Sequence, residues 1–179
     1  LKSEQQTTHK YLINRSQDGD RQAQSELYQL YAGAMYNICR RMTGDEEEAK
    51  DVLQEAFITV FINIKKLKEE ATFSAWVKRI VINQCINTLK KKQLLTSSLG
   101  EEHEGLVEDD GNESFSEYSI KEVMSTIDKI SEGCRTVLNL YLFEGYDHKE
   151  IAHILSISES ASKAQYCKAK SKIRKILTD

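Results

Sequence analysis

The chain has 179 residues, no proline, eight glycines and a formal net charge of -3. That length suits one ordinary domain or two small ones. Apolar residues recur at helical rather than alternating spacing, which predicts an all-α protein. No apolar run approaches the roughly 18 residues of a membrane span and the N-terminus carries no secretory pattern, so a cytoplasmic protein without membrane insertion is expected. A chain starting at Leu1 is expected to lack its initiator methionine. Cys39, Cys85, Cys134 and Cys167 form no Cys-x-x-Cys pair and share no spacing with the histidines, which predicts reduced thiols and no metal.

In chain order, a short helix is predicted near residues 8–17, followed by the turn Asp18-Gly19-Asp20. The next helix, 21–42, has Leu27, Leu30, Tyr31, Ala34, Ile38 and Met42 as its apolar stripe. Gly44 suits the position just past a helix end, and Asp45 with Glu48 is a capping-box signature for the helix that follows. That helix, to about residue 66, buries Ala49, Leu53, Ala56, Phe57, Val60 and Ile64. Asp51, Glu55, Ile58 and Ile62 fall on its opposite face with Gln54 beside them. Two isoleucines facing outward point to a protein contact or a covering helix.

A last N-terminal helix, 72–92, has Ile82, Cys85, Ile86 and Leu89 on one face, and Trp76, Ile80, Asn83 and Asn87 broadly opposite, flanked by Arg79. Lys90, Lys91 and Lys92 close it. Aromatic, amide and cationic groups together suit single-stranded or distorted DNA, where bases stack, hydrogen-bond and expose phosphates. The plainer reading makes Phe73 and Trp76 core residues and the lysines a helix end.

Residues 93–116 are acidic and glycine-spaced without a sustained period, and read as a flexible linker between a domain at 1–92 and one at 117–179. The small net charge conceals segregation: residues 77–92 and 163–175 carry lysine and arginine without acids, whereas 101–117 holds eight acids and no lysine or arginine. Local fields decide what a surface attracts.

Four helices are predicted in the second domain, near 117–130, 132–144, 148–155 and 159–177. Asp147 and Glu150 form a capping-box signature, and Ser158 is the N-cap of the final helix. A short capped helix, a three-residue turn and a lysine-rich helix make a helix-turn-helix, which sets its second helix in the DNA major groove. In that helix Ser162, Tyr166, Ala169, Ile173 and Ile176 are predicted to pack inward. Lys163, Ala164, Gln165, Cys167 and Lys168 are left as candidates for base edges, with Lys170 and Lys172 as further cations. His148 reads as a surface residue at a helix start. Neither a phosphate loop nor a nucleophile motif is present, so no enzyme activity and no cofactor are expected.

These blocks, in this order, resemble the extracytoplasmic-function (group 4, sigma-70 family) sigma factors of bacterial RNA polymerase. The resemblance rests on Gly19-Asp20, Ala23, Leu27-Tyr28, the block Asp51, Gln54, Glu55 and Phe57, then Phe73, Trp76, Arg79-Ile80, Asn83 and Lys90 to Lys92. It continues through Arg135, Leu140-Tyr141, Gly145, Glu150-Ile151-Ala152 and the basic helix from Lys163 to Arg174. It implies a sigma-2 helical bundle and a four-helix sigma-4 domain on an acidic linker.

Asp51, Gln54, Glu55 and Ile58 would then bind the β′ coiled coil of core polymerase. Thr72, Phe73, Ser74, Trp76, Arg79, Asn83, Asn87 and Lys90–Lys92 would melt the −10 element and hold a flipped base. Sigma-4 would read the −35 element and touch the β flap, and an anti-sigma factor would be the usual controller. The recognition helix departs from the family pattern: Ser160-Ala161-Ser162 stands where glycine-threonine-valine is usual, and Lys163, Gln165 and Lys168 replace arginines. Lysine cannot fork onto guanine as arginine does, so the −35 sequence does not carry over. A stand-alone helix-turn-helix regulator and a non-initiating sigma-like adaptor are the rival readings.

Overall fold

The computed structural model describes residues 2–69, 72–96 and 119–178, which contain eight α-helices and no strand. The chain divides into two compact units, Leu1–Leu94 and Leu95–Asp179. The segment read as a linker lies, from residue 97 to its end, outside the described residues.

The first unit contains α1 (Lys2–Gln17), α2 (Arg21–Thr43), α3 (Glu46–Asn63), a 3-10 turn at Ile64–Lys66, and α4 (Phe73–Thr96). Helix α1 starts earlier than the sequence reading places it, and α4 runs four residues into the expected linker. The turn between α1 and α2 forms at Asp18–Asp20, with Gly19 at φ 92°, a left-handed conformation that favours glycine. Asp20 caps α2, accepting from the backbone of Gln22 at 2.8 Å and Ala23 at 3.2 Å. Its other oxygen accepts Arg15 Nε at 2.7 Å, which ties the end of one helix to the start of the next.

Gly44 ends α2 at φ 76° and donates its N–H to the Arg40 carbonyl. Asp45 accepts from the Glu48 N–H at 2.8 Å, as a capping box requires. The Glu48 carboxylate, however, meets Lys92 Nζ of α4 at 3.2 Å. A local signature has thus been partly diverted to a tertiary contact.

Burial on α3 follows the predicted stripe, with Val52 added. On α2 the stripe is displaced: Ala23, Leu27, Met35, Ile38, Cys39 and Met42 are buried, whereas Leu30 is 62% exposed and Ala34 is exposed. At 100° per residue, Leu30 and Ala34 sit on one edge of the apolar arc and Met35 and Cys39 on the other. Which edge is covered depends on where α1 and α3 pack, and α2 alone does not encode that.

The second unit contains α5 (Ile120–Ile127), α6 (Glu132–Leu142), α7 (His148–Leu155) and α8 (Glu159–Thr178). Its core joins Ile127, Ile130, Leu138 and Ala169, with Val123, Met124, Cys134, Tyr166 and Ile173 packed around them. Helices α5 and α7 both open on complete capping boxes, Ser119 with Glu122 and Asp147 with Glu150. Each box satisfies orphan N–H groups that an eight-residue helix could not otherwise spare. Arg135 is 8% exposed and donates to the Asp128 carbonyl at 3.2 Å, so this cation stitches the core. Among the described residues no helix is long and apolar enough to cross a membrane, and no cluster of metal-ligating side chains occurs.

Candidate polymerase and nucleic-acid interfaces

The outward face of α3 is acidic at its start and apolar further along. Glu46, Glu47 and Glu48 occupy its first turn, where the helix dipole favours negative charge. Lys50 bridges Glu46 at 3.0 Å and Glu47 at 2.8 Å, and the two carboxylates hold its ammonium well above the usual lysine range. Asp51, Gln54 and Glu55 are all exposed one to two turns on. Ile58 and Ile62 follow at 60% and 74% exposure, an apolar continuation of the same face. An open cleft of about 410 Å³ runs between α3 and α4, bordered by Asp45, Glu48, Asp51, Glu55, Thr88 and Lys92. Gln84 of α4 donates to the Glu55 carboxylate.

Helix α4 is two-faced. Val77, Val81, Ile82, Cys85, Ile86 and Leu89 are buried, and Arg79, Asn83, Asn87 and Lys91 are exposed. Positions 79, 83 and 87 are four apart, so a cation and two amides line one solvent-facing stripe. Trp76 and Ile80 are half-buried beside it, as is Lys90, while Lys92 is exposed and pairs with Glu48. Thr72 and Ser74 are exposed at the helix start, and the Thr72 hydroxyl donates to the Glu69 carbonyl at 2.7 Å.

Phe73 follows the plainer of its two readings, that of a core residue. It is fully buried, in edge contact with Tyr31 (centroids 5.2 Å) and His9 (5.7 Å), and tilted against Trp76 at 6.1 Å. From that position the ring packs at the base of the helix that carries the exposed stripe.

In the second unit α7, the turn and α8 form the helix-turn-helix. The turn depends on Ser156, which adopts φ 60°, ψ 42° without being glycine, and lets the Ile157 N–H reach the Ala152 carbonyl at 3.0 Å. Ser158 caps α8 by accepting the Ala161 N–H at 3.0 Å. Ser162 and Ala169 are fully buried, on the stripe predicted to face inward.

Lys163, Cys167 and Lys172 are exposed, and Ala164, Lys168 and Lys170 are half-buried. Lys163 is paired with Glu159 at 2.7 Å, which holds that carboxyl below the usual range, and Lys170 lies over the Tyr166 ring at 5.5 Å. Gln165 is half-buried. Its amide leans on α6, with Oε1 only 3.4 Å from where a β-carbon on Gly133 would stand. To meet a base edge it would have to swing away from that seat.

His148 is the residue the sequence reading undervalued. Its ring stacks on Tyr141 (4.6 Å, 15°), meets Tyr166 edge-on at 5.7 Å, and its Nδ1 is hydrogen-bonded to the buried Ser162 hydroxyl at 3.0 Å. The signal lay in Tyr141 and Tyr166 each facing the helix start, a coincidence visible only once three helices are assembled. Beside it, Tyr141, Leu142 and Phe143 remain 37%, 55% and 44% exposed.

The described residues thus form a helical protein of two units. The chain matches Sigma-70 region 2 over residues 27–94 and Sigma-70 region 4 over residues 120–173. It is 30% identical to the ECF RNA polymerase sigma factor SigW of Bacillus subtilis, across 93% of this chain and 95% of that protein. It is 26% identical to the ECF RNA polymerase sigma-E factor of Haemophilus influenzae, across 94% and 95%.

Two solved structures share its fold: the sigma factor RpoE with the anti-sigma factor NepR from Bartonella quintana (TM-score 0.55, 14% identity, 86% of this chain and 96% of that one), and CnrH with the cytosolic domain of CnrY (0.52, 20%, 95% and 97%). The chain belongs to the extracytoplasmic-function branch of the sigma-70 family: it is an alternative sigma factor, a transcription initiation factor rather than an enzyme.

Proposed function

We propose that this sigma factor docks on core RNA polymerase through Asp51, Gln54, Glu55 and Ile58 of α3, opens and reads −10 DNA along the exposed stripe of α4, and reads −35 DNA with α8. The observation that carries the reading is the division of labour in the first unit. One helix offers acids and uncovered isoleucines, suited to a protein surface. The next offers Arg79, Asn83 and Asn87 in line, suited to an unpaired strand. The exposed Tyr141-Leu142-Phe143 end of α6 suits a contact with the β flap. Affinity for DNA by the free protein should be low, because each patch meets few phosphates.

A solved sigma factor similar in fold, RpoE, was captured with the anti-sigma factor NepR. That supports an anti-sigma partner here, with the protein working in the cytoplasm where polymerase and promoter are found. The test is transcription in vitro with sigma-free core polymerase on fragmented host DNA, with start sites mapped. New starts sharing two spaced upstream elements are expected, and Asn83→Ala should abolish them. Core binding without transcripts would leave an adaptor; absence of core binding would leave a stand-alone regulator.

A further inference from the structure

The exposed stripe of α4 is no better placed than the start of that helix, and α1 holds the approach to it at two points. At its C-terminal end, the Gln17 side-chain amide donates to two carbonyls of the segment after α3, Ile64 and Leu67, each at 3.1 Å. Two turns earlier, His9 accepts or donates a hydrogen bond with the Tyr31 hydroxyl and sets its ring edge against Phe73, the first residue of α4. The two contacts are eight residues apart, roughly 12 Å along the helix and on broadly one side of it. One grips the chain as it leaves α3; the other grips the residue at which α4 begins.

Neither Gln17 nor His9 faces a position that a DNA strand or a polymerase surface would use on the reading above. A side-chain amide satisfying two backbone carbonyls fixes the direction in which the chain leaves the turn. A three-ring cluster of His9, Tyr31 and Phe73, each pair in tilted or edge contact, fixes the rotation of α4 about its axis. That rotation decides whether Asn83 and Asn87 face a strand. Trp76 lies on the same helix one turn beyond Phe73, so it senses the same geometry.

We infer that α1 is a two-point brace for strand capture, with Gln17 and His9, through Tyr31, acting as positioning residues for promoter opening. The inference rests on the assignment of −10 opening to α4. Preorganisation matters most while the duplex must still be opened, because a strand already unpaired can find a misaligned helix at less cost. The brace is therefore a requirement of melting rather than of polymerase docking.

The experiment uses the full chain with core polymerase on a promoter mapped as above, in two forms: fully paired, and unpaired across the −10 element. Gln17→Ala, His9→Ala and the milder Tyr31→Phe are compared with wild type and with Asn83→Ala. Core affinity is measured by competition, and Trp76, the one tryptophan in the chain, reports the helix start by its emission.

The brace variants are expected to keep core affinity within about twofold, to shift Trp76 emission, and to lose at least tenfold of transcription on the paired promoter. The unpaired template should restore them to within about twofold of wild type. Equal losses on both templates, a parallel loss of core affinity, or no loss at all would overturn the brace. If Asn83→Ala is impaired while the brace variants behave as wild type, the brace alone fails. Normal activity of Asn83→Ala would remove the −10 assignment and the brace with it.

Discussion

The imidazole of His148 lies nearly parallel to the ring of Tyr141, centroids 4.6 Å apart, and so joins the first residue of α7 to the end of α6. The same imidazole holds the hydroxyl of Ser162, fully buried on α8. Three helices of the second unit therefore meet on one ring, at the base of the helix-turn-helix.

Replacing His148 with alanine removes the stack and strands a buried hydroxyl. A loss of about 1–3 kcal/mol from the second unit is expected. His148→Phe, which keeps a ring but not the nitrogen, should lose less. Amide exchange followed across α7 and α8 in the full chain would show the opening; unchanged protection in His148→Ala would refute the central place given to this ring.

Phe73→Ala should cost about 3–5 kcal/mol, because the side chain is fully buried among Tyr31, His9 and Trp76. Phe73→Leu should cost much less. Denaturant unfolding monitored at Trp76 distinguishes a core role from a DNA contact: a stable Phe73→Ala protein that loses only DNA binding would contradict the burial.

Acid should weaken the first unit before carboxylates matter. Burial lowers the pKa of His9 from its ordinary 6.5, so the unfolded chain takes up a proton more readily than the folded one. The stability this neutral ring contributes is complete above about pH 6.5 and is lost as pH falls through the lower folded value. Tyr31, raised by burial, has the opposite sign: its contribution is present below about pH 10 and lost as pH rises through the folded value. Unfolding midpoints at pH 7.5 and 5.5 should differ more in wild type than in His9→Phe.

Gly33 lies inside α2, where an added β-carbon would meet nothing within 4 Å. Gly33→Ala should stabilise the first unit by about 0.5–1 kcal/mol, by removing backbone freedom from the unfolded chain. A thermal melt is sufficient; a lower midpoint would mean that the space is filled in solution.

Glu159 holds Lys163 at 2.7 Å at the start of α8. Glu159→Gln should release that lysine toward phosphate and tighten holoenzyme binding to promoter DNA about two- to fivefold, an exposed pair being weak. The gain should shrink at higher salt, and a gain insensitive to salt would point away from charge.

The sequence by itself determined which segments are helical and where the capped ones begin. Asp20, Asp45, Asp147 and Ser158 cap through bonds a few residues long, and Gly19 and Gly44 mark turns by a conformation open to glycine. It also determined the polar face of α4 and the lysines of α8, since period and charge are local properties. Tertiary structure decided the rest. It turned α2 so that Met35 is covered and Leu30 is not, drew Glu48 away from its own cap to Lys92, and buried Phe73. It gave Gln165 a seat over Gly133 and made His148 a junction. Each of these depends on which partner arrives from a distant part of the chain, and a helical pattern specifies the arc that can be buried without naming what will cover it.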